Sequence, residues 1–147
     1  MSMVAVARFR LISWALLPRF LVENEKAIQQ ARKSRGFIKG KLLAEPTRAM
    51  WAISIWDSED SMRNYYLTGN HRVAMAKIAD YACEACAVHV ELESAEIPTW
   101  SALHTMLLDS SARYSKVILS PTEDHIAQRI PAPHFALFSR SLNPAPS

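Results

Sequence analysis

Apolar and polar residues alternate along several segments of this chain, and this alternation predicts β-strands. Segments without glycine or proline that alternate in this way cover residues 3–12 and 49–56. A similar segment covers residues 37–44, and the turn at residues 45–48 separates it from the next strand. A further alternating segment covers about residues 86–93. We therefore expect four strands in the first two thirds of the chain.

Two other segments repeat their apolar residues every three to four positions, which predicts helices. The first follows the first strand and ends before Gly36, a residue typical of helix C-termini. The second begins after Asp57 or Ser58, either of which is a suitable N-cap. Gly69 interrupts it, and a second piece covers about residues 71–82.

The resulting order, β-α-β-β-α-β, predicts an α+β domain of the ferredoxin-like, or split βαβ, type over residues 1–96. Residues 97–147 differ in composition, since six of the eight prolines lie at or after Pro98. We expect this part to be an extension packed on the core and not an independent domain. Its pattern predicts a helix at 100–108, a strand at 116–119, a helix that begins at 120–123, a strand at 134–138 and a frayed tail at 142–147.

Charged side chains are expected on the face of the sheet that the helices do not cover. These are Arg8, Arg10, Lys39, Lys41, His89, Glu91 and Glu93. Because the last strand lies beside the first in this topology, Arg8 and Arg10 are predicted to meet Glu91 and Glu93. An uncovered single-layer sheet needs a cover, and a second copy packed face to face would supply one. The pattern thus predicts a homodimer through the sheet face.

Charge and composition exclude several classes of protein. The net charge is +3, but residues 1–50 carry ten basic and three acidic side chains, while residues 51–96 carry three basic and eight acidic ones. Neutralisation within one fold explains this asymmetry better than nucleic-acid binding, for which no motif is present. Two cysteines do not make a disulfide scaffold. With no signal-peptide pattern and no membrane-spanning apolar run, we expect a cytoplasmic protein.

Three segments resemble the dimeric α+β-barrel superfamily. They are MWAISIW at residues 50–56, DSEDSM at residues 57–62 and YYLTGNH at residues 65–71. This superfamily includes antibiotic-biosynthesis monooxygenases, stress-responsive barrel proteins, polyketide cyclases and haem-degrading enzymes. The segment WALLPRF at residues 14–20 is also similar to the spheroidene-monooxygenase-like branch. The resemblance covers about residues 3–93 and implies a dimeric α+β barrel.

By this resemblance, His71 would be a catalytic acid or base and Tyr65 its hydrogen-bonding partner. The chemistry is plausible on its own terms, since histidine titrates near neutral pH and a phenol can donate to a developing oxyanion. The break at Gly69 and Asn70 would allow both side chains to point inward. The alternative is that His71 only caps the second helical piece.

An apolar pocket between the sheet and the helices is the expected ligand site. Its candidate lining residues are aromatic, with two polar residues that could hold an anion: Trp14, Phe20, Trp51, Trp56, Tyr66, Asn70 and Arg72. For each aromatic residue taken singly, ordinary core is the favoured interpretation. Such a pocket suits a lipophilic or aromatic, polyketide-like substrate. The leading hypothesis is a cofactor-independent monooxygenase, and the alternatives are a cyclase with the same pair or a ligand-binding protein without catalysis.

No cofactor or metal is expected. Haem binding is an alternative, but the haem-degrading relatives use a histidine where this chain has residues 73–77, in which only Met75 could bind iron. Cys83, Cys86 and His89 supply three local ligands, whereas a structural zinc site needs four. We therefore predict buried free cysteines.

Overall fold

The structure is a computed structural model, and it describes residues 1–69, 72, 76–109, 112–114, 125, 129–133 and 136–146. The described elements are, in chain order, β1 (Ser2–Leu11), a 3-10 turn (Trp14–Leu16), α1 (Leu17–Lys33), β2 (Phe37–Ala44), β3 (Ala49–Trp56), α2 (Glu59–Leu67), α3 (Ile78–Tyr81), β4 (Ala82–Leu92), α4 (Trp100–Leu107), β5 (Arg113–Tyr114) and β6 (Phe138–Leu142). The predicted α+β class and β-α-β-β-α-β order are confirmed.

The strands form one sheet in the order β5-β4-β1-β3-β2-β6, and each described pair is antiparallel. The four central strands make up the ferredoxin-like sheet, with β4 beside β1 as expected. The two outer strands both belong to the C-terminal segment, which we define as residues 97–147. This segment therefore extends the sheet at both edges.

Local interactions explain where the helices that flank the sheet begin and end. Gly36 adopts a φ of 86° after α1, and a side chain at this position would collide with Asp57 and Ser61. At the start of α2, the Ser58 hydroxyl accepts a hydrogen bond of 3.1 Å from the Ser61 amide. The helix ends at Leu67, Thr68 is extended and Gly69 adopts a φ of 59°, so the predicted interruption is confirmed.

The sheet has two buried faces. The helix face, which packs against α1 and α2, carries Met3, Ala5 and Trp56. The far face, on the opposite side, carries Val4, Val6, Ile53, Ile55 and Val88, all of them at most 3% exposed. Leu103 and Leu107 of α4 pack on the far face and are themselves fully buried.

The far face is thus not the uncovered, charged platform that the sequence predicted. The chain's own C-terminal segment covers it, so the argument for a second copy as its cover does not hold. A homodimer through this face would require α4 to leave it.

The predicted pairing of Arg8 and Arg10 with Glu91 and Glu93 is wrong. Strand β4 begins four residues earlier than expected, at Ala82, and its register places Arg10 opposite Glu84 and Met3 opposite Glu91. Arg8 forms its ion pair with Glu84 instead, at 3.2 Å.

The predicted placement of His89 and Glu91 on the uncovered face is also wrong. Both residues pair with helix-face positions of β1, and the His89 ring stacks on Tyr66, a residue of α2, at 5.1 Å. Glu93 lies beyond the end of β4. Lys39 and Lys41 do lie on the far face, where Lys39 contacts Glu96 and Lys41 contacts the Trp100 ring.

The first predicted helix of the C-terminal segment is confirmed. Helix α4 begins after Thr99, whose hydroxyl accepts a hydrogen bond from the Ala102 amide. The start of the predicted strand at 134–138 lies outside the described residues, and the described strand in this region, β6, begins at Phe138 and pairs with β2. The predicted frayed tail is docked on α1, since the Ala145 amide donates to the Arg32 carbonyl at 2.8 Å. The predicted elements at 116–119 and 120–123 lie outside the described residues.

Candidate functional site

A cavity of about 1370 Å³ lies between α1 and the helix face of the sheet. Three parts of the chain line it with mainly apolar side chains. Helix α1 contributes Leu17, Phe20, Leu21, Val22 and Ile28; the strands contribute Phe9, Leu42, Ala44, Met50 and Ala52; and the C-terminal segment contributes Leu137 and Phe138. The alternation of the strands and the helical period of α1 direct these side chains to a common space. The two alanines in the floor leave much of that space unfilled.

Polar residues of the cavity lie along α1 and β6. Arg140 of β6 and Glu25 of α1 form a two-point ion pair, with N–O distances of 2.7 and 3.2 Å. The hydrogen bonds from Arg140 hold the pKa of Glu25 below its usual value, and the same bonds raise the pKa of Arg140. The Gln29 amide also donates to Glu25, at 2.8 Å. This ion pair ties β6 to α1 across the wall of the cavity.

Two of the predicted pocket residues line the cavity with their side chains. Trp14 lies at its opening, and Phe20 packs edge-on against Phe9 with ring centres 5.2 Å apart. Trp51 belongs to a strand of the floor, but its indole ring lies on the far face, where it contacts Trp100 at 6.2 Å.

An aromatic cluster forms where α2 packs on the sheet, and it consists of Trp56 of β3 and of Tyr65 and Tyr66 of α2. The rings of Trp56 and Tyr65 stack at 5.0 Å, and the Tyr65 hydroxyl donates a hydrogen bond of 3.1 Å to the Ala27 carbonyl. Burial raises the pKa values of both Tyr65 and Tyr66. None of the three is among the described residues that line the cavity. As placed, the Tyr65 hydroxyl holds α2 against α1.

The predicted partner of Tyr65 cannot be placed beside it. His71 and Asn70 lie outside the described residues, and so does Met75, the alternative haem ligand. Arg72 is described and is exposed. The pairing of His71 with Tyr65 therefore stays a prediction.

Several residues of the cavity are absent from the sequence-based prediction. Leu21 and Ile28 belong to the same helical stripe as Phe20, so the period of α1 could have identified them. Leu137 and Phe138 could not have been found in this way, because a proline-rich segment gives no sign that it pairs with β2.

A second group of polar side chains is buried on the far face. Glu84 is 1% exposed, and its carboxylate lies 3.2 Å from Arg8 and 3.7 Å from Nδ1 of His125. The Arg8 guanidinium also lies over the Trp51 ring, 5.8 Å from its centre. Burial lowers the pKa of His125, whereas the negative charge of the nearby Glu84 carboxylate acts in the opposite direction and raises this pKa. This cluster joins the C-terminal segment to β1 and β4.

The two cysteines are free and buried, as predicted. Burial raises the pKa of Cys86 to about 11, so its thiol stays protonated at neutral pH. Cys86 lies on the far face and His89 on the helix face, so the two cannot bind one metal ion. Within the described ranges, no group of three or more histidine, cysteine, aspartate or glutamate residues could hold a metal.

Comparison with known proteins relates the chain to a class of folds. No protein-family model matches it, and no curated protein does. Among solved structures it is similar to SnoaB, a cofactor-independent oxygenase from Streptomyces nogalater, with 15% identity, a TM-score of 0.55 and coverage of 67% of this chain and 98% of that one. It is also similar to Rv0793 from Mycobacterium tuberculosis, with 11% identity, a TM-score of 0.58 and coverage of 65% and 100%. A third similar structure is an antibiotic biosynthesis monooxygenase, with 9% identity, a TM-score of 0.55 and coverage of 63% and 99%.

At these identities the likeness concerns the fold. The chain has a ferredoxin-like α+β fold similar to theirs, as its resemblance implied. About a third of the chain lies outside each match, which is close to the share that the C-terminal segment represents. In the part of the chain that the structure describes, no helix has the length and apolar character needed to span a membrane.

Proposed function

We propose that this protein binds a flat lipophilic molecule in the cavity beneath α1 and oxidises it with O₂, without a cofactor. The cavity is the observation that carries the proposal. Its volume of about 1370 Å³ exceeds the range of about 300–1,000 Å³ common for small-molecule sites. An aromatic and aliphatic lining such as that of Phe9, Phe20 and Met50 favours a fused-ring skeleton over a charged metabolite.

The oxidation would use the reactivity of the substrate itself. A base removes a proton from an activated C–H group beside a phenol or ketone, and the anion transfers one electron to O₂. The resulting radical and superoxide combine to form a peroxide anion, which takes back the proton from the base. The hydroperoxide then loses water and leaves a new carbonyl group. One O₂ is consumed for each CH₂ group converted to C=O, and one water is released. The protein must supply a dry pocket, a base and a hydrogen-bond donor for the developing oxyanion.

The fold class supports this chemistry, since SnoaB is described as a cofactor-independent oxygenase. Among the described lining residues, the ionisable side chains are Glu25, Lys26, Lys33 and Arg140. Glu25 is a weak base because Arg140 lowers its pKa. We assign the role of base to His71, the residue for which the resemblance implies this role.

A binding protein without catalysis is the second candidate. It is favoured by the position of Tyr65, whose hydroxyl is engaged by the Ala27 carbonyl at 3.1 Å and does not line the cavity. In this case the cavity stores or carries its ligand and leaves it unchanged.

Anthrone, a tricyclic ketone with an acidic CH₂ group, separates these candidates. We expect the protein to bind anthrone and to consume O₂ in its presence. His71→Ala should lower the rate of O₂ uptake at least about 100-fold, as expected for a general base, and leave binding intact. His89→Ala, which removes an exposed histidine on β4, serves as the matched control.

The possible outcomes distinguish the candidate functions. Binding without O₂ uptake identifies a ligand-binding protein, and a rearranged product without O₂ uptake identifies a cyclase. Absence of binding overturns both candidates. Ala52→Phe, which fills the floor of the cavity, should weaken binding, whereas Leu67→Phe on the exposed end of α2 should not.

A further inference from the structure

Five large apolar side chains surround the opening of the cavity and remain exposed to solvent. We call them the mouth patch: Trp14, Leu21, Val22, Leu137 and Phe138. They are between 40% and 60% exposed. Because all five line the same cavity, they form one contiguous surface and are not scattered single residues. Contiguous apolar surfaces of this kind mark interaction sites.

The charges around the mouth patch are positive. Lys26 and Lys33 of α1 are exposed and line the same cavity. The nearby carboxylates are neutralised within the fold, because Glu25 is paired with Arg140 and Glu23 with Lys77. Among the residues that the structure describes, no carboxylate forms an ion pair with Lys26 or Lys33, so cations border the apolar surface.

Two occupants could cover such a surface, namely a second copy of this chain or an anionic lipid surface. A two-fold pair would bring the same patch of both copies together. Lys26 and Lys33 would then lie close to their own counterparts, and the like charges would repel. Anionic headgroups would neutralise the same lysines, and the apolar side chains would enter the region between headgroups and acyl chains.

We propose that the mouth patch docks this protein on an anionic lipid surface. Trp14 suits this role because an indole ring favours the boundary between water and lipid. Docking in this way is peripheral and places the opening of the cavity against the bilayer. A lipophilic ligand could then enter the cavity without crossing water. The proposal holds whether or not the ligand is oxidised.

Vesicle co-sedimentation of the full chain tests this proposal. Vesicles of phosphatidylcholine alone are compared with vesicles that also contain phosphatidylglycerol, at low and at high salt. We expect binding to the anionic vesicles and weaker binding at high salt. Lys26→Glu/Lys33→Glu should lower partitioning at least about fivefold for each lysine, since a cation near an anionic surface contributes about 1 kcal/mol.

A second variant tests the apolar contribution separately. Val22→Ser/Phe138→Ser removes two exposed side chains of the mouth patch and should lower partitioning at least about tenfold. Leu67→Ser and Arg63→Glu are the matched controls, because both residues are exposed and lie outside the patch. Circular dichroism checks that each variant is folded.

Two results would overturn the proposal. One is equal sedimentation with and without anionic vesicles. The other is vesicle binding that the mouth-patch variants leave unchanged. Association of the protein with itself that Val22→Ser/Phe138→Ser abolishes, without vesicle binding, would assign the patch to a second copy instead.

Discussion

Replacing Leu103 by alanine tests whether α4 closes the far face within a single chain. Leu103 is fully buried against Val6, Ile53 and Val88. The substitution removes three carbon atoms, worth about 2.4 kcal/mol at about 0.8 kcal/mol for each buried CH₂ group. The cavity left behind adds to this loss, so we expect the free energy of unfolding to fall by about 3 kcal/mol. For a chain of this length, that corresponds to a decrease in Tm of about 6–12 °C.

Urea unfolding followed by tryptophan fluorescence measures this change, since Trp51 and Trp100 lie in contact at the same interface. Leu108→Ala is the control, because Leu108 follows α4 and is 45% exposed. It should cost less than about 1 kcal/mol. Equal losses for Leu103→Ala and Leu108→Ala would refute the reasoning.

Three further substitutions should change the stability of the protein or its dependence on pH. Arg8→Ala removes the cation 3.2 Å from the buried Glu84 carboxylate and leaves Arg10 at 4.0 Å as a more distant one, so it should lower the free energy of unfolding by about 3 kcal/mol in urea; a loss below about 1 kcal/mol contradicts this. The lowered pKa of His125 means that the unfolded chain binds more protons below about pH 6.5, so Tm should fall as the pH decreases from about 7.5 to 5.5. His125→Gln should flatten that dependence, and an unchanged slope would show that other groups cause it. Tyr65→Phe removes the hydrogen bond to the Ala27 carbonyl and should cost about 0.5–1.5 kcal/mol without weakening anthrone binding; weaker binding in a calorimetric titration would contradict the placement of Tyr65 outside the cavity.

The strands of the central sheet could be predicted because the sequence patterns that indicate them are local. Strands β2 and β3 have the predicted bounds, since the alternation of each strand and the turn at Pro46 agree. The start of β4 was missed because Glu84 is a buried carboxylate in a strand. Its partner Arg8 lies 76 residues away in the sequence, and no local pattern indicates this contact.

The candidate site could be predicted only in part for the same reason. Phe20 follows the helical period of α1, and Trp14 begins the 3-10 turn that directly precedes that helix. Trp56 and Tyr65 are aromatic residues of the same kind, yet they pack as core, because composition does not distinguish a filled space from an empty one. Phe138 lines the cavity through a pairing between β6 and β2 that joins distant parts of the chain.

Translation makes β5, β6 and α4 only after the ribosome has added residues 1–96. Until they emerge, a nascent chain has two unpaired strand edges, on β4 and β2, and an apolar sheet surface that nothing yet covers. Unpaired edges and bare apolar surfaces are the features through which incomplete chains aggregate. A released chain that ends at residue 96 would therefore be prone to aggregate, and residues 97–147 bury the edges and the surface that cause this.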